Sequence, residues 1–280
     1  MTRARTALGW SALAATVGLL LFWGALGFVL RAGTPAAPTP AQTERSARLA
    51  ATLAELTAQN GRRSHAEQWT TAKLISARFA ALGYRTHIEE YSRGAEHWPD
   101  VVAVDDAPAM QRDAILLTAH LDSISGDPQG RAPGADDNGS GIAVLLELAR
   151  TLHERRASPS VIFAVFSNEE TDRSDSRAFA ARLRREGVKL RAVINVDVVG
   201  YPRPRRLLDW QAFAVHRTWR GRLQALREQL GNAFLALRHG PGALLVAGRI
   251  RDRALVTQVA GGLAAGSGLE VVARARDDCG

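Results

Sequence analysis

The sequence predicts an α/β domain with a largely parallel central sheet. Short apolar runs typical of buried strands, such as residues 114–119 and 161–166, alternate with longer stretches that have helical periodicity. Loops rich in glycine and polar residues follow several of the strands. Strands that alternate with helices at this spacing indicate crossover connections, and crossover connections join parallel strands.

The individual elements follow from the spacing of apolar residues. Helices are expected over residues 44–60, 65–82, 141–153 and 176–185. Strands are expected over residues 85–91, 101–104, 114–119, 161–166 and 192–199. Near the C-terminus, residues 243–247, 251–263 and 269–273 are typical of one more strand, helix and strand. We therefore expect one α/β domain over residues 44–275, followed by a short tail at 276–280.

Composition excludes several classes of protein. The chain has 280 residues, 46% of them hydrophobic, so it can bury a sizeable core, and neither disorder nor a collagen-like structure is indicated. Its single cysteine, Cys279, excludes an internal disulfide framework and a cysteine-based zinc cluster. The net charge of +8 arises mainly in residues 201–280, which carry 13 basic and 6 acidic side chains. Because no basic motif with interleaved aromatics accompanies this charge, no nucleic-acid partner is predicted.

The N-terminal segment predicts a membrane anchor. Residues 7–30 form an uncharged run of 24 residues, long enough to cross a hydrocarbon core of about 30 Å as a helix. Arg3 and Arg5 precede this run and Arg31 alone follows it, which favours an N-terminus inside and a domain outside the cytoplasm. We expect an uncleaved single-pass anchor over residues 1–30 and a Pro/Ala-rich linker over 31–43. Cleavage near Ala36 stays open as an alternative.

Polar residues cluster where the predicted parallel strands end. In open parallel sheets, ligands bind beyond the carboxyl ends of the strands. The side chains found after the strands, or in the glycine-rich loop 133–141, are His120, Asp122, Asp137, Glu169, Glu170 and Asp197. Each alone is as easily a turn or helix-capping residue. Together, at one edge of one sheet, they predict a functional site.

These residue types point to a divalent metal. Imidazole and carboxylate ligands without a thiolate suit zinc, manganese or cobalt. Asp122, two residues beyond His120, can orient the imidazole of that histidine. Of the adjacent Glu169 and Glu170, one can bind metal while the other shuttles a proton.

Four motifs resemble those of a known family. They are His120-Leu121-Asp122-Ser123, the loop Pro133-Gly134-Ala135-Asp136-Asp137-Asn138-Gly139-Ser140-Gly141, Asn168-Glu169-Glu170 and Asn195-Val196-Asp197. Together they resemble the zinc aminopeptidases of the bacterial leucyl aminopeptidase and aminopeptidase Y type, over residues 82–201. The resemblance implies a three-layer, zinc-exopeptidase-like α/β fold with a mostly parallel mixed sheet, two zinc ions and peptide substrates.

The resemblance also implies a role for each residue. His120, Asp137 and Asp197 would bind the first zinc, and Asp122 would orient His120. Asp137 would bridge to a second zinc that Glu170 also binds. Glu169 would be the general base that deprotonates the attacking water.

One further ligand of the family is not found. The family uses a late histidine in a Ser-Asp-His context, whereas His216 and His239 have different neighbours. Residues 171–176 also depart from the small, glycine-containing sequence that is usual after the two glutamates. We therefore expect an incomplete or diverged C-terminal part, a weakly held second zinc and poor turnover. A glutaminyl cyclase and a non-catalytic peptidase-like ectodomain stay open as alternatives.

Overall fold

The computed structural model describes residues 37–58, 61–105, 114–125, 130–155, 160–200, 244–267 and 271–276, with residues 219 and 223. Its contacts divide the chain into two compact units. The first unit is Pro38–Tyr201, and the second contains the described residues from 244 to 276. The domain boundaries expected from the sequence, with one α/β domain over residues 44–275, stay a prediction.

Four helices belong to the first unit. They are α1 (Pro40–Thr57), α2 (His65–Ala81), α3 (Gly141–Glu154) and α4 (Ser174–Arg185). Capping boxes start the first two, since Thr39 and Gln42 bond reciprocally at α1, as do Ser64 and Glu67 at α2. Because of the Thr39 cap, α1 begins inside the predicted linker rather than at residue 44.

A five-stranded mixed sheet forms the centre of this unit. Its strands are β1 (Arg85–Arg93), β2 (Glu96–Val104), β3 (Ala114–His120), β4 (Val161–Phe166) and β5 (Leu190–Asn195). Their order is β1-β2-β4-β3-β5, with β4, β3 and β5 parallel and the β1–β2 and β2–β4 pairs antiparallel. The predicted mixed α/β architecture is confirmed. Strand β5 ends at Asn195, before the predicted end at residue 199.

Apolar side chains cover both faces of the sheet. On one face, Phe163 and its neighbours pack with buried residues of α1, α2 and α3, including Phe79 and Leu145. On the other face, Phe166 and its neighbours pack against Phe179 of α4 and the residues around it. The first unit therefore has three layers, helices, sheet and helix, and the strands between them are buried.

The second unit contains a strand, a helix and a strand, in agreement with the prediction. These are β6 (Leu244–Arg249), a short 3₁₀ turn (Ile250–Asp252), α5 (Arg253–Ser267) and β7 (Val271–Arg276). Strands β6 and β7 pair in parallel, and α5 makes the crossover between them.

Some predictions fall on residues that the structure does not describe. Among the described helices, none has the length and apolar character needed to cross a membrane. The anchor predicted for residues 7–30 lies outside the described residues, and so do His216 and His239.

Candidate metal site

The parallel register of the sheet brings two distant segments to the same edge. His120, the last residue of β3, lies opposite Phe166 on β4, and Thr118 lies opposite Asn195 on β5. The Val196 amide continues this ladder by donating to the Thr118 carbonyl at 2.8 Å. Since successive side chains along a strand alternate between faces, a residue two positions beyond Asn195 comes level with His120. That residue is Asp197.

Three predicted ligands meet around the imidazole. His120 Nε2 lies 3.1 Å from Asp137 Oδ1 and 3.5 Å from Asp197 Oδ1. The three donor atoms all lie within 4.8 Å of one another, close enough to share one cation. The His120 side chain is only 3% exposed, whereas those of Asp137 and Asp197 are 54% and 39% exposed. The site therefore has a buried imidazole at its base and carboxylates at its solvent side.

A kinked turn delivers Asp137 to this cluster. Gly134 adopts a left-handed conformation (φ +57°), and the turn Ala135–Ser140 breaks regular helical geometry at Asp137 (φ −106°, ψ 97°). Asn138, fully buried, then donates from Nδ2 to the Val196 carbonyl at 2.9 Å and accepts from the Gly141 amide at 3.0 Å. Asn138 thus ties the Asp137 turn to the Asp197 segment.

The sequence reasoning missed Asn138 because an asparagine before a glycine is also ordinary turn sequence. Two further hydrogen bonds also connect the Asp137 turn to the segment that follows Asp197. The Val199 amide donates to Ser140 Oγ at 3.0 Å, and the Gly200 amide donates to Asp136 Oδ1 at 2.8 Å.

Asp122 holds the loop that carries the two glutamates. Its carboxylate is 2% exposed, and its two oxygens accept hydrogen bonds from the Glu169 amide at 3.0 Å and the Glu170 amide at 3.1 Å. Asp122 Oδ1 also lies 3.3 Å from His120 Nδ1. Among the described residues this nitrogen has no hydrogen-bond partner of good geometry, so its contact with Asp122 is an ion-pair contact rather than an aligned hydrogen bond. Asp122 therefore touches both His120 and the glutamate loop.

The two glutamates have different surroundings. Glu169 Oε1 lies 2.7 Å from Nε of Arg173, a residue that the sequence reasoning did not single out. Glu169 and Arg173 also border a cavity of about 660 Å³ between the sheet and α4, whose walls are largely apolar. Glu170 does not belong to the three-residue donor group. The three residues predicted to bind the first zinc therefore lie together, while the assignment of Glu170 to a second zinc stays a prediction.

Electrostatics at the site favour a bound cation. Burial raises the pKa of Glu170 to about 7, with a further rise from Asp137 and an opposing effect of His120. Burial lowers the pKa of His120, but its contacts with Asp122 and Asp197 outweigh this and raise the pKa to about 10. Several acids thus crowd around one imidazole in a donor set without thiolates. This set fits a divalent ion such as zinc, which would offset the repulsion among the carboxylates.

Comparison with known proteins gives related matches in sequence and in fold. Residues 101–239 match the model of Peptidase family M28. Leucine aminopeptidase 1 of Arthroderma otae is 36% identical over 102 residues, which cover 34% of this chain and 27% of that protein. A probable zinc metalloprotease of Pyrenophora tritici-repentis is 39% identical over 88 residues, which cover 30% of this chain and 20% of that protein.

A solved structure has a similar fold. The crystal structure of the Legionella pneumophila LapA aminopeptidase aligns with a TM-score of 0.59 at 19% identity, covering 89% of this chain and 62% of that chain. The resemblance to zinc aminopeptidases inferred from the four motifs is confirmed by these matches. The aligned region spans about a quarter of the length of the curated leucine aminopeptidase.

Proposed function

We propose that the protein is a zinc-dependent aminopeptidase. This proposal starts from the match of residues 101–239 to the model of Peptidase family M28. Its substrates would be peptides, from which it removes N-terminal residues by hydrolysis. The observation that carries this proposal is the convergence of His120, Asp137 and Asp197 on one point at the carboxyl edge of the sheet. Imidazole with two carboxylates is a donor set suited to catalytic zinc, which keeps a further position open for water or substrate.

The proposed chemistry divides between the metal and the protein. His120, Asp137 and Asp197 would hold a zinc ion, which when bound polarises a carbonyl group and makes water more acidic. Glu169 is the base that takes a proton from the attacking water and returns it to the nitrogen of the leaving peptide. Breaking the peptide bond in this way consumes one water and releases a free N-terminal amino acid.

Asp122 supports both halves of this machinery. By accepting from two consecutive amides it fixes the direction in which Glu169 and Glu170 leave the backbone. Its carboxylate also lies against the imidazole on the side away from Asp137 and Asp197. A carboxylate behind a metal-binding histidine orients the ring and strengthens its donor nitrogen.

The proposal includes one tightly held ion. Glu170 supplies a second carboxylate near Asp137, and these two would bind a second ion more weakly than the three ligands bind the first. Metal analysis of the purified chain after equilibration with zinc is expected to give close to one tightly bound ion per chain. Two tightly bound ions would contradict this part of the proposal.

Hydrolysis of leucine p-nitroanilide tests the proposed activity. We expect hydrolysis that a chelator abolishes and that added zinc restores. Glu169→Gln should lower kcat by about 10²- to 10⁴-fold, the usual contribution of a positioned base. Glu96→Gln, an exposed acid at the start of β2, is the control and should keep activity.

Two other outcomes would replace the proposal. Cyclisation of a peptide with N-terminal glutamine, without hydrolysis of the anilide, would indicate a glutaminyl cyclase. Zinc binding without turnover of either substrate would indicate a non-catalytic ectodomain.

We also propose that residues 7–30 anchor the protein in a membrane with the catalytic unit outside the cytoplasm. The uncharged run and the arginines before it support this. The full chain is expected in the membrane fraction after alkaline carbonate washing, with the catalytic unit digested by protease only from the extracytoplasmic side. Release of the chain by the carbonate wash would contradict the anchor.

A further inference from the structure

A buried arginine outside the motifs lies behind the metal site. Arg62 precedes α2 and is 0% exposed, although arginine is among the residues least often fully buried. Its side chain donates three hydrogen bonds, each to a backbone carbonyl. Nε donates to Leu121 at 2.6 Å, Nη1 to Pro133, and Nη2 to Gly134 at 2.9 Å.

These acceptors belong to the two segments that carry metal-site residues. Leu121 lies between His120 and Asp122, while Pro133 and Gly134 begin the turn that delivers Asp137. The backbone of Arg62 adds a second link, since its amide donates to Ser123 Oγ at 3.0 Å and its carbonyl accepts from the Ser123 amide at 3.3 Å. One residue therefore holds the segment after β3 and the glycine-rich loop together.

Gly134 shows how closely the guanidinium and the Asp137 turn approach. A Cβ placed on Gly134 would lie 2.6 Å from Arg62 Nη2 and 2.5 Å from the Asp137 carbonyl oxygen. The Gly134 backbone also needs a positive φ, which L-residues other than glycine rarely adopt. The contact between Arg62 and the turn is therefore possible only with glycine at this position.

Burying the charge of Arg62 costs free energy, and the nearby carbonyl oxygens and carboxylates offset part of that cost. Burial lowers the pKa of Arg62 to about 10, while the nearby charges of Asp122 and Asp137 act in the opposite direction. A buried guanidinium normally costs several kcal/mol unless its donors and its charge are both matched. Here three carbonyl oxygens accept hydrogen bonds from the guanidinium, and the carboxylates of Asp122 and Asp137 lie close enough to offset its charge. A lysine cannot reproduce this, because one ammonium group cannot reach three carbonyls in a planar fork.

We propose that Arg62 is a positioning residue that sets the place of Asp137 relative to His120 and thereby the affinity of the site for a divalent ion. This inference rests on the proposed function, because it assumes that these two residues bind a metal. It predicts that metal affinity falls when Arg62 is replaced by an uncharged residue, which is opposite to the effect of removing the charge alone. Removing a cation near an acidic site would by itself strengthen the binding of a metal ion. Weaker binding by an uncharged variant would therefore report displaced ligands and not lost charge.

Cobalt binding to the metal-free, full-length chain tests the proposal. Co²⁺ affinity is measured by competition with a chromophoric chelator, and the visible absorption spectrum of the Co²⁺ form reports ligand geometry. We expect Arg62→Met to bind Co²⁺ about 10- to 100-fold more weakly, with altered visible bands, as is usual when residues that support metal ligands are changed. Arg62→Lys should fall between Arg62→Met and the wild type. Arg63→Met is the matched control, since Arg63 is the adjacent arginine and its Nη2 donates to the Gly130 carbonyl, and it should bind within about threefold of wild type.

The outcomes separate this proposal from the proposed function. Wild-type affinity and spectrum in Arg62→Met, together with a lower unfolding midpoint, would mean that Arg62 only stabilises the fold and would overturn the proposal. Should Arg62→Met fail to fold, Arg62→Lys, which keeps the charge but cannot reach all three carbonyls, is expected to bind Co²⁺ more weakly than the wild type and with altered visible bands. Wild-type affinity and spectrum in Arg62→Lys would then overturn the proposal. A wild-type chain that binds neither Co²⁺ nor Zn²⁺ would instead overturn the proposed function, and the role of Arg62 with it.

Discussion

The two halves of the candidate site are held in place by different means. His120 and Asp197 are placed by the parallel register of β3 and β5, and Asn138 ties the Asp137 turn to the same edge. The loop with Glu169 and Glu170 lies beyond the end of β4, and carboxylates hold it. Asp122 accepts hydrogen bonds from the Glu169 and Glu170 amides. Asp100 Oδ1 accepts a hydrogen bond from the Ser167 amide, at 2.8 Å, just before these glutamates. The positions of the predicted ligands therefore depend on the sheet, whereas the position of the proposed base depends on buried acids.

If the ligand half acts as one unit, loss of one ligand should have the largest effect on metal binding. Asp137→Asn is expected to weaken Zn²⁺ binding by about 100-fold or more, since residues that only support ligands already cost 10- to 100-fold. A competition titration of the metal-free chain measures this. Glu96→Gln, an exposed acid at the start of β2, is the control. Equal affinities for the two variants would remove Asp137 from the ligand set.

Asp122 tests whether the two halves can be separated. Asp122→Asn keeps one acceptor oxygen and replaces the other with a donor that faces a backbone amide. We expect kcat to fall by about 10- to 100-fold, while Zn²⁺ affinity changes by less than about tenfold, because Asp122 holds the glutamate loop through two hydrogen bonds and His120 through an ion-pair contact. Steady-state kinetics and a metal titration on the same preparation decide this. An affinity loss as large as that of Asp137→Asn would show that Asp122 belongs functionally to the ligand half.

The acids behind the glutamate loop predict a pH dependence of stability. Asp100 and Asp175 are 2% and 1% exposed and meet at Ser167 Oγ, which donates to Asp100 Oδ1 at 3.0 Å and lies 3.5 Å from Asp175 Oδ2. Burial raises the pKa of both, with their mutual repulsion adding for Asp100, and that of Asp175 reaches about 6. Asp122 adds a further negative charge that acts on Asp175.

The sign of this effect follows from proton linkage. Between pH 3.8 and about 6 the folded chain binds more protons at Asp175 than the unfolded chain does, so the free energy of unfolding falls as pH rises through this window. Asp100 extends the fall to higher pH, because its pKa is raised well above 3.8. The expected loss is on the order of 2 kcal/mol between pH 5 and pH 8, measured by urea unfolding.

Asp100→Asn keeps the acceptor oxygen and cannot ionise, so it should make this dependence shallower and stabilise the chain at pH 8. Asp175 and Glu170, whose pKa values are also raised, still contribute to the fall. Asp172→Asn, an exposed acid, should retain the wild-type slope. A wild-type stability that is flat from pH 5 to pH 8 would contradict the prediction.

The smallest effect is expected at Arg173. Its ion pair with Glu169 is more than half exposed on the arginine side, and such pairs contribute about 0–1 kcal/mol. Arg173→Gln should therefore change kcat/KM by no more than about fivefold, and Arg177→Gln, at an exposed arginine of α4, should leave it unchanged. A change of 100-fold or more would place Arg173 among the residues that determine the position of the base.

The sequence predicted the elements of the fold well, and the three residues predicted to bind the first zinc lie close together. Periodicity was sufficient for α2 and β4 because their apolar residues are buried in a regular pattern. The predicted end of β5 was wrong, because residues 196–199 are apolar enough to suggest a strand, whereas β5 ends at Asn195 and the backbone turns just beyond Asp197, at Val198 (φ 50°). Glu170 lies outside this donor group, and its predicted role at a second zinc stays a prediction.

The sequence by itself determined which residues can do chemistry at this site and at which strand ends they lie. The reason is that parallel strands present their carboxyl ends at one edge, so order along the chain translates into proximity. Only the tertiary structure decided what holds those residues in place. Arg62 reaches carbonyls 59 to 72 residues away, and Asp100 reaches an amide 67 residues away. No local sequence pattern identifies either residue. The hydrogen-bond partners of a buried polar side chain are close in space but distant in the sequence, so its sequence neighbours do not reveal them.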